Sequence, residues 1–90
     1  MLTFKTTSTF RKDLKRMIKR GCDKTLINNV IKELVAQKKL APEYRDHELS
    51  GSYIGFRECH IRPDWLLIYK IEKDELILTA IRTGSHSDLF

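Results

Sequence analysis

The 90-residue chain has few of the devices that hold very small proteins together without a core. Its only cysteines, Cys22 and Cys59, form no Cys-x-x-Cys pair and show no metal-ligand spacing, which excludes a disulfide scaffold and a zinc module. Two lone thiols suit a reducing compartment. With only two prolines and four glycines, there is no linker, repeat or low-complexity tract, so residues 1–90 are read as a single domain. No segment approaches the ~20 apolar residues of a membrane span, and the start, Met1-Leu2-Thr3-Phe4-Lys5, lacks the apolar run of a secretory signal. A cytoplasmic protein without a membrane partner is expected.

Acids are scarce in one half of the chain. Residues 1–39 carry 11 Lys and Arg against three acids, whereas residues 40–90 carry six against nine. A basic half is the electrostatic signature of a polyanion-facing surface, most often for nucleic acid.

What is present is a change of period. Leu2–Lys5 reads as a short strand. Ser8 or Thr9 is placed to cap a helix in which Phe10, Leu14, Met17 and Ile18 make one apolar stripe. Arg11, Lys12 and Lys15 lie on the other faces, available to RNA. Gly21 stops this helix. Asp23 caps a second, whose stripe is Leu26, Ile27, Val30, Ile31, Leu34 and Val35. Leu40–Ser50 reads as a polar loop, after which the period falls to about two. Tyr53–Ile61, Asp64–Ile71 and Glu75–Thr83 then read as strands joined by short turns. The predicted fold is α+β, with two N-terminal amphipathic helices packed on a small, mainly antiparallel sheet in the order β-α-α-β-β-β. The middle strand, Trp65-Leu66-Leu67-Ile68-Tyr69, is apolar on both faces.

If the turns centre on Arg62-Pro63 and Lys73-Asp74, then His60 lies opposite Trp65, and Trp65 opposite Arg82. These three would form one row near one end of the sheet, because cross-strand neighbours are only ~5 Å apart. Asp64, His86 and Phe90 leave from the same end, and His47 sits in the loop feeding the first long strand. This inventory suits metal-free RNA cleavage. A base takes the proton of the 2′-OH, an acid protonates the departing 5′-oxygen, and histidine can do either. An arginine can hold the phosphate, and aromatic rings can stack on unpaired bases. No carboxylate cluster for Mg²⁺ is apparent, and no cofactor is expected.

Three ordered motifs carry a family resemblance. They are Asp46-His47-x-Leu49-x-Gly51, then Phe56-Arg57-Glu58-Cys59-His60-Ile61-x-Pro63-Asp64-Trp65-Leu66-Leu67-Ile68-Tyr69, then Arg82-Thr83-Gly84-Ser85-His86-Ser87-x-Leu89-Phe90. Together they resemble the YafQ branch of the RelE/ParE toxins. The chain departs from the branch at Tyr53, where Trp is common, and in its more basic first helix. The resemblance implies a RelE-like fold and the toxin of a type II toxin–antitoxin pair, monomeric by itself, which cuts mRNA on the ribosome and is neutralised by a cognate antitoxin. It implies that His47, His60, Asp64 and His86 are the acid–base and phosphate-side residues, with His86 as general acid. The base stays open among His47, His60 and Asp64. Arg82 would stabilise the transition state, and Trp65 and Phe90 would shape the cleft or stack in it. The alternatives are a non-enzymatic basic RNA- or protein-binding module, and a gyrase-directed toxin of the ParE kind.

Overall fold

One strand with no solvent-facing side organises the chain. In the computed structural model, which describes residues 1–90, Trp65, Leu66, Leu67, Ile68 and Tyr69 are all buried. They open β4 (Trp65–Glu72), the centre of a five-stranded sheet ordered β1-β5-β4-β3-β2. The other strands are β1 (Thr3–Thr6), β2 (His47–Glu48), β3 (Arg57–Arg62) and β5 (Ile77–Gly84). All pairs are antiparallel except β1 with β5, which is parallel.

The expected helices α1 (Ser8–Lys19) and α2 (Lys24–Val35) both lie on one face of the sheet. Phe10, Met17, Ile27, Val30 and Leu34 pack there against Cys59, Ile61, Trp65, Leu67, Tyr69, Leu78 and Ala80. Ile18, expected on the apolar stripe, stays exposed, and Asp13 joins Phe10 and Met17 as the buried residues of α1. Asp23 caps α2 as expected, accepting from the Thr25 N–H at 2.9 Å. The cap of α1 is Thr7 rather than Ser8 or Thr9. Thr7 Oγ1 accepts from the Phe10 N–H at 2.9 Å and donates to the Ile81 carbonyl at 2.7 Å. One hydroxyl thus satisfies the helix start and ties it to β5, which neither later residue does.

The loop and the tail hold more structure than expected. Leu40–Ser50 contains a one-turn 3-10 helix at Pro42–Tyr44 and the edge strand β2. Tyr53, expected in a strand, ends a second 3-10 turn at Gly51–Tyr53. The tail forms α3 (His86–Leu89), whose first turn is closed by a capping box between Ser85 and Asp88. Leu89 of α3 then joins Leu49, Tyr53, Phe56 and Ile81 over Leu66 and Ile68 on the second face of the sheet.

The expected row His60–Trp65–Arg82 does not form. The β3–β4 turn is Pro63-Asp64, with Arg62 opposite Trp65, and a bulge then sets His60 opposite Leu66. The β4–β5 connection is Lys73–Leu76, closed by Leu76 in the left-handed region (φ 56°). A second irregularity sets Arg82 opposite Ile68. A one-residue slip exchanges the faces of a strand. Trp65 therefore points to the helices, 2% exposed, and its Nε1–H donates to Thr83 Oγ1 at 2.9 Å. Its expected place in an RNA cleft is corrected to the core.

Trp65→Ala is accordingly expected to cost about 3–5 kcal/mol of unfolding free energy, the range for emptying a large aromatic site. Urea denaturation followed by circular dichroism measures it, and a loss below about 1 kcal/mol would contradict the core placement.

Candidate active site

The slips that remove Trp65 bring the histidines together. Period two along β3 puts Glu58 and His60 on the face opposite the helices, and β2 pairs His47 with Glu58. The His47 and His60 ring centroids are 6.5 Å apart, and those of His60 and His86 are 5.8 Å apart. The line continues from His86 to Phe90 at 6.4 Å and from Phe90 to Tyr53 at 5.5 Å. Four of the expected residues, His47, His60, His86 and Phe90, thus form one row of rings.

Two carboxylates serve the histidines of this row. Glu58 Oε1 lies 3.6 Å from Nε2 of both His47 and His60. The other nitrogens face carbonyls. His47 Nδ1 is 2.6 Å from the Arg45 oxygen, and His60 Nδ1 is 3.3 Å from the Pro63 oxygen. Those acceptors require the hydrogen of each neutral ring to sit on Nδ1. Each Nε2 is then bare, and it forms an ion pair with Glu58 once its ring takes up a proton. Glu58 is only 4% exposed, and its second oxygen, Oε2, is buried without a hydrogen-bond partner. The motif carried Glu58 without assigning it a role. Its spacing of two from His60 on a strand was the available signal.

Asp64 serves His86. Its Oδ1 accepts from the His86 backbone N–H at 3.1 Å and lies 3.2 Å from ring Nδ1. These hydrogen bonds hold the Asp64 carboxyl below its ordinary range. Through these two bonds Asp64 orients the His86 ring.

Arg82 is anchored from α1. β1 ends at Thr6, opposite Ala80, so no strand partners Ile81–Gly84 on that side. Asp13 fills the gap. It is 3% exposed and accepts from Arg82 Nε at 2.9 Å, Arg82 Nη2 at 3.0 Å, Arg16 Nη2 at 3.2 Å and the Thr83 N–H at 3.3 Å. Its hydrogen bonds to Arg82 raise the already high guanidinium value, and Tyr53 on the other side adds to the effect. Tyr53, next to Phe90, links Arg82 to the row of rings. Asp13 is the only acid of α1 and falls three residues after Phe10, on the buried side. That placement was legible, although no role was read from it.

Two further contacts place the ends of the row. Asp46, beside His47, accepts from the Tyr69 hydroxyl and pairs with Arg57 at 3.3 Å. Arg20, at the end of α1, grips Asp88 of α3 at 2.7 and 3.2 Å. Asp88 also accepts from the Ser85 N–H at 2.9 Å. The Arg20 hydrogen bonds, then those of Ser85, hold the Asp88 carboxyl well below the usual carboxylate range. Gly84 lets this fold-back happen, because a Cβ there would lie 2.9 Å from Cβ of Asp88. The basic residues of α1 remain apart from the row: Lys12 and Lys15 are exposed, and Arg11 bonds to Thr6 Oγ1 at 2.8 Å.

The α+β fold thus gathers a row of histidines, a buried carboxylate and an anchored arginine in one place. Residues 2–90 match the family described as "Bacterial toxin of type II toxin-antitoxin system, YafQ", and the chain belongs to that family. It is 38% identical to the mRNA interferase toxin YafQ of Escherichia coli K12 over 82 residues, covering 90% of this chain and 87% of that one. The crystal structure of a metal-bound toxin from Helicobacter pylori is 49% identical, with a TM-score of 0.94 and 100% of both chains covered. YafQ in the E. coli DinJ–YafQ complex is 34% identical, with a TM-score of 0.90, covering 100% of this chain and 99% of that one. In the present chain no group of three or more His, Cys, Asp or Glu side chains is arranged to hold a metal ion. No helix is long and apolar enough to cross a membrane.

The Asp88 clamp gives a pH test. A depressed carboxyl stabilises the fold above its unfolded value of ~3.9, and the contribution is lost as pH falls through the folded value. NMR contacts between the Phe90 and Tyr53 rings are expected to persist below the ordinary carboxylate range and to vanish when Asp88 is protonated. In Asp88→Asn they are expected to be weak already at neutral pH. Full contacts in that variant would show that the clamp does not hold the tail.

Proposed function

We propose that the chain is an endoribonuclease toxin that cuts mRNA on the ribosome by metal-independent attack of the 2′-OH. The observation that carries this reading is the pair of rings, His60 and His86, 5.8 Å apart and each backed by its own carboxylate.

His60 is the general base. Its bare Nε2 takes the 2′-OH proton, and Glu58 stabilises the imidazolium that results. The 2′-oxygen then bonds to phosphorus. Arg82, oriented by Asp13 so that its remaining N–H groups can meet the phosphate, offsets the charge that builds on the non-bridging oxygens. His86 starts protonated. Asp64 holds its Nδ1–H, and Nε2 delivers the other proton to the departing 5′-oxygen. The products are a 2′,3′-cyclic phosphate and a 5′-OH, so one proton is taken up and one given back. His47 shares Glu58 with His60. Phe90, 64% exposed, offers its free face to a base beside the cut.

The exposed cations of α1, Lys12 and Lys15 together with Arg11, supply a surface for ribosomal RNA. The same charge suits an acidic antitoxin segment as the neutralising partner. That YafQ of E. coli is found in complex with DinJ supports a partner of this kind.

The test is primer extension on mRNA bound to purified ribosomes. His86→Ala is expected to lower the cleavage rate about 10²–10⁴-fold, the span for one acid–base group. A natively folded His86→Ala protein that cleaves within about threefold of wild type would falsify the assignment. Equal cleavage of naked and ribosome-bound mRNA would remove the ribosome from the reading.

A further inference from the structure

The chain has seven arginines. Five are held by side chains of the fold: Arg11 by Thr6, Arg16 and Arg82 by Asp13, Arg20 by Asp88, and Arg57 by Asp46. The other two, Arg45 and Arg62, make no side-chain hydrogen bond or ion pair. Both line the same cleft, together with Tyr44, Pro63 and His60.

This cleft measures about 380 Å³, within the ~300–1,000 Å³ range of small-ligand sites. Its two walls are tied to the histidine row. His47 bonds the Arg45 carbonyl on one wall, and His60 faces the Pro63 carbonyl on the other. Arg45 ends the Pro42–Tyr44 turn in the left-handed region (φ 48°), a conformation uncommon for arginine. Of the row His47, His60, His86, Phe90, the ring that lines the cleft is His60. A single strand crossing the row must leave it in two directions. One passes the aromatic pair Phe90 and Tyr53. The other passes this cleft, where two unneutralised guanidinium groups face a single acid, Glu43.

We infer that the cleft beside His60 is the subsite for the nucleotide next to the cut, with that nucleotide's outer phosphate held between Arg45 and Arg62. This rests on the RNA-cleaving reading above and extends it to substrate grip. Guanidinium groups favour phosphate because they offer two parallel N–H donors. Being exposed and unpaired, they can be removed without touching the core.

Two variants test it. Arg45→Asn keeps a residue that tolerates the left-handed backbone, and Arg62→Ala is made at the exposed end of β3. The probe is a fluorescein-labelled single-stranded RNA of mixed sequence, its binding followed by anisotropy across a salt series. Each loss of a phosphate contact is expected to flatten the slope of log K against log salt by about 0.7. In the ribosomal cleavage assay, the double variant is expected to raise KM about tenfold with kcat unchanged. Lys24→Ala, an exposed change on α2, is expected to alter neither. An unchanged slope and KM overturn the inference, and so does a fall in kcat at constant KM. If His86→Ala proves fully active, the assigned chemistry fails, while the salt slopes still report independently whether the cleft binds RNA.

Discussion

The fold depends on burying a strand from both sides. The apolar run of β4 needs cover on each face, and both long helices lie on the same one. The second face is therefore covered by short pieces: a loop that supplies Leu49, Tyr53 and Phe56, and a one-turn helix that supplies Leu89. Those pieces have little apolar area of their own, so their own burial contributes modestly. They are also the segments that carry His47, His86 and Phe90. The site sits on the weaker of the two layers because that layer comes from loop and tail, where polar groups can reach solvent.

What the weaker layer lacks in burial it makes up in ionic contacts. Asp46 holds the His47 segment through Arg57 and Tyr69. Asp88 holds the His86 segment through Arg20 and the Ser85 cap. Asp13 holds Arg82 and closes the open edge of β5. Exposed ion pairs contribute little when isolated. These are bidentate or shared with backbone N–H groups, an arrangement that adds direction as well as energy. Glu58 is the exception. Its unpartnered Oε2 is a cost to folding, and its other oxygen lies 3.6 Å from two imidazole nitrogens.

Much of this was legible in the sequence, and the failures have physical causes. The helix stripes, the three long strands and the two-faced character of β4 follow from periodicity alone. The gathering of histidines at one place also followed, although by a different register from the one expected. Two irregularities, between His60 and Arg62 and between Ile68 and Tyr69 with their partners, each add a residue that no turn rule reveals, because bulges answer to packing between layers. That error moved Trp65 to the wrong face and left Leu66 and Ile68 as the true floor of the site. Glu58 and Asp13 were visible as acids at buried positions of a strand and a helix. The unpaired state of Arg45 and Arg62 was not, because it depends on which carboxylates the other five arginines claim in three dimensions.

Helix α1 has one more consequence. Asp13 and Arg20 stand seven residues apart on it, two turns or about 10.5 Å. One grips the arginine of the sheet and the other grips the tail that bears His86. The helix is thus a rigid spacer between two parts of the machinery that the sheet and the tail deliver separately. Because both anchors belong to one helix, the distance between them is set by the helix backbone.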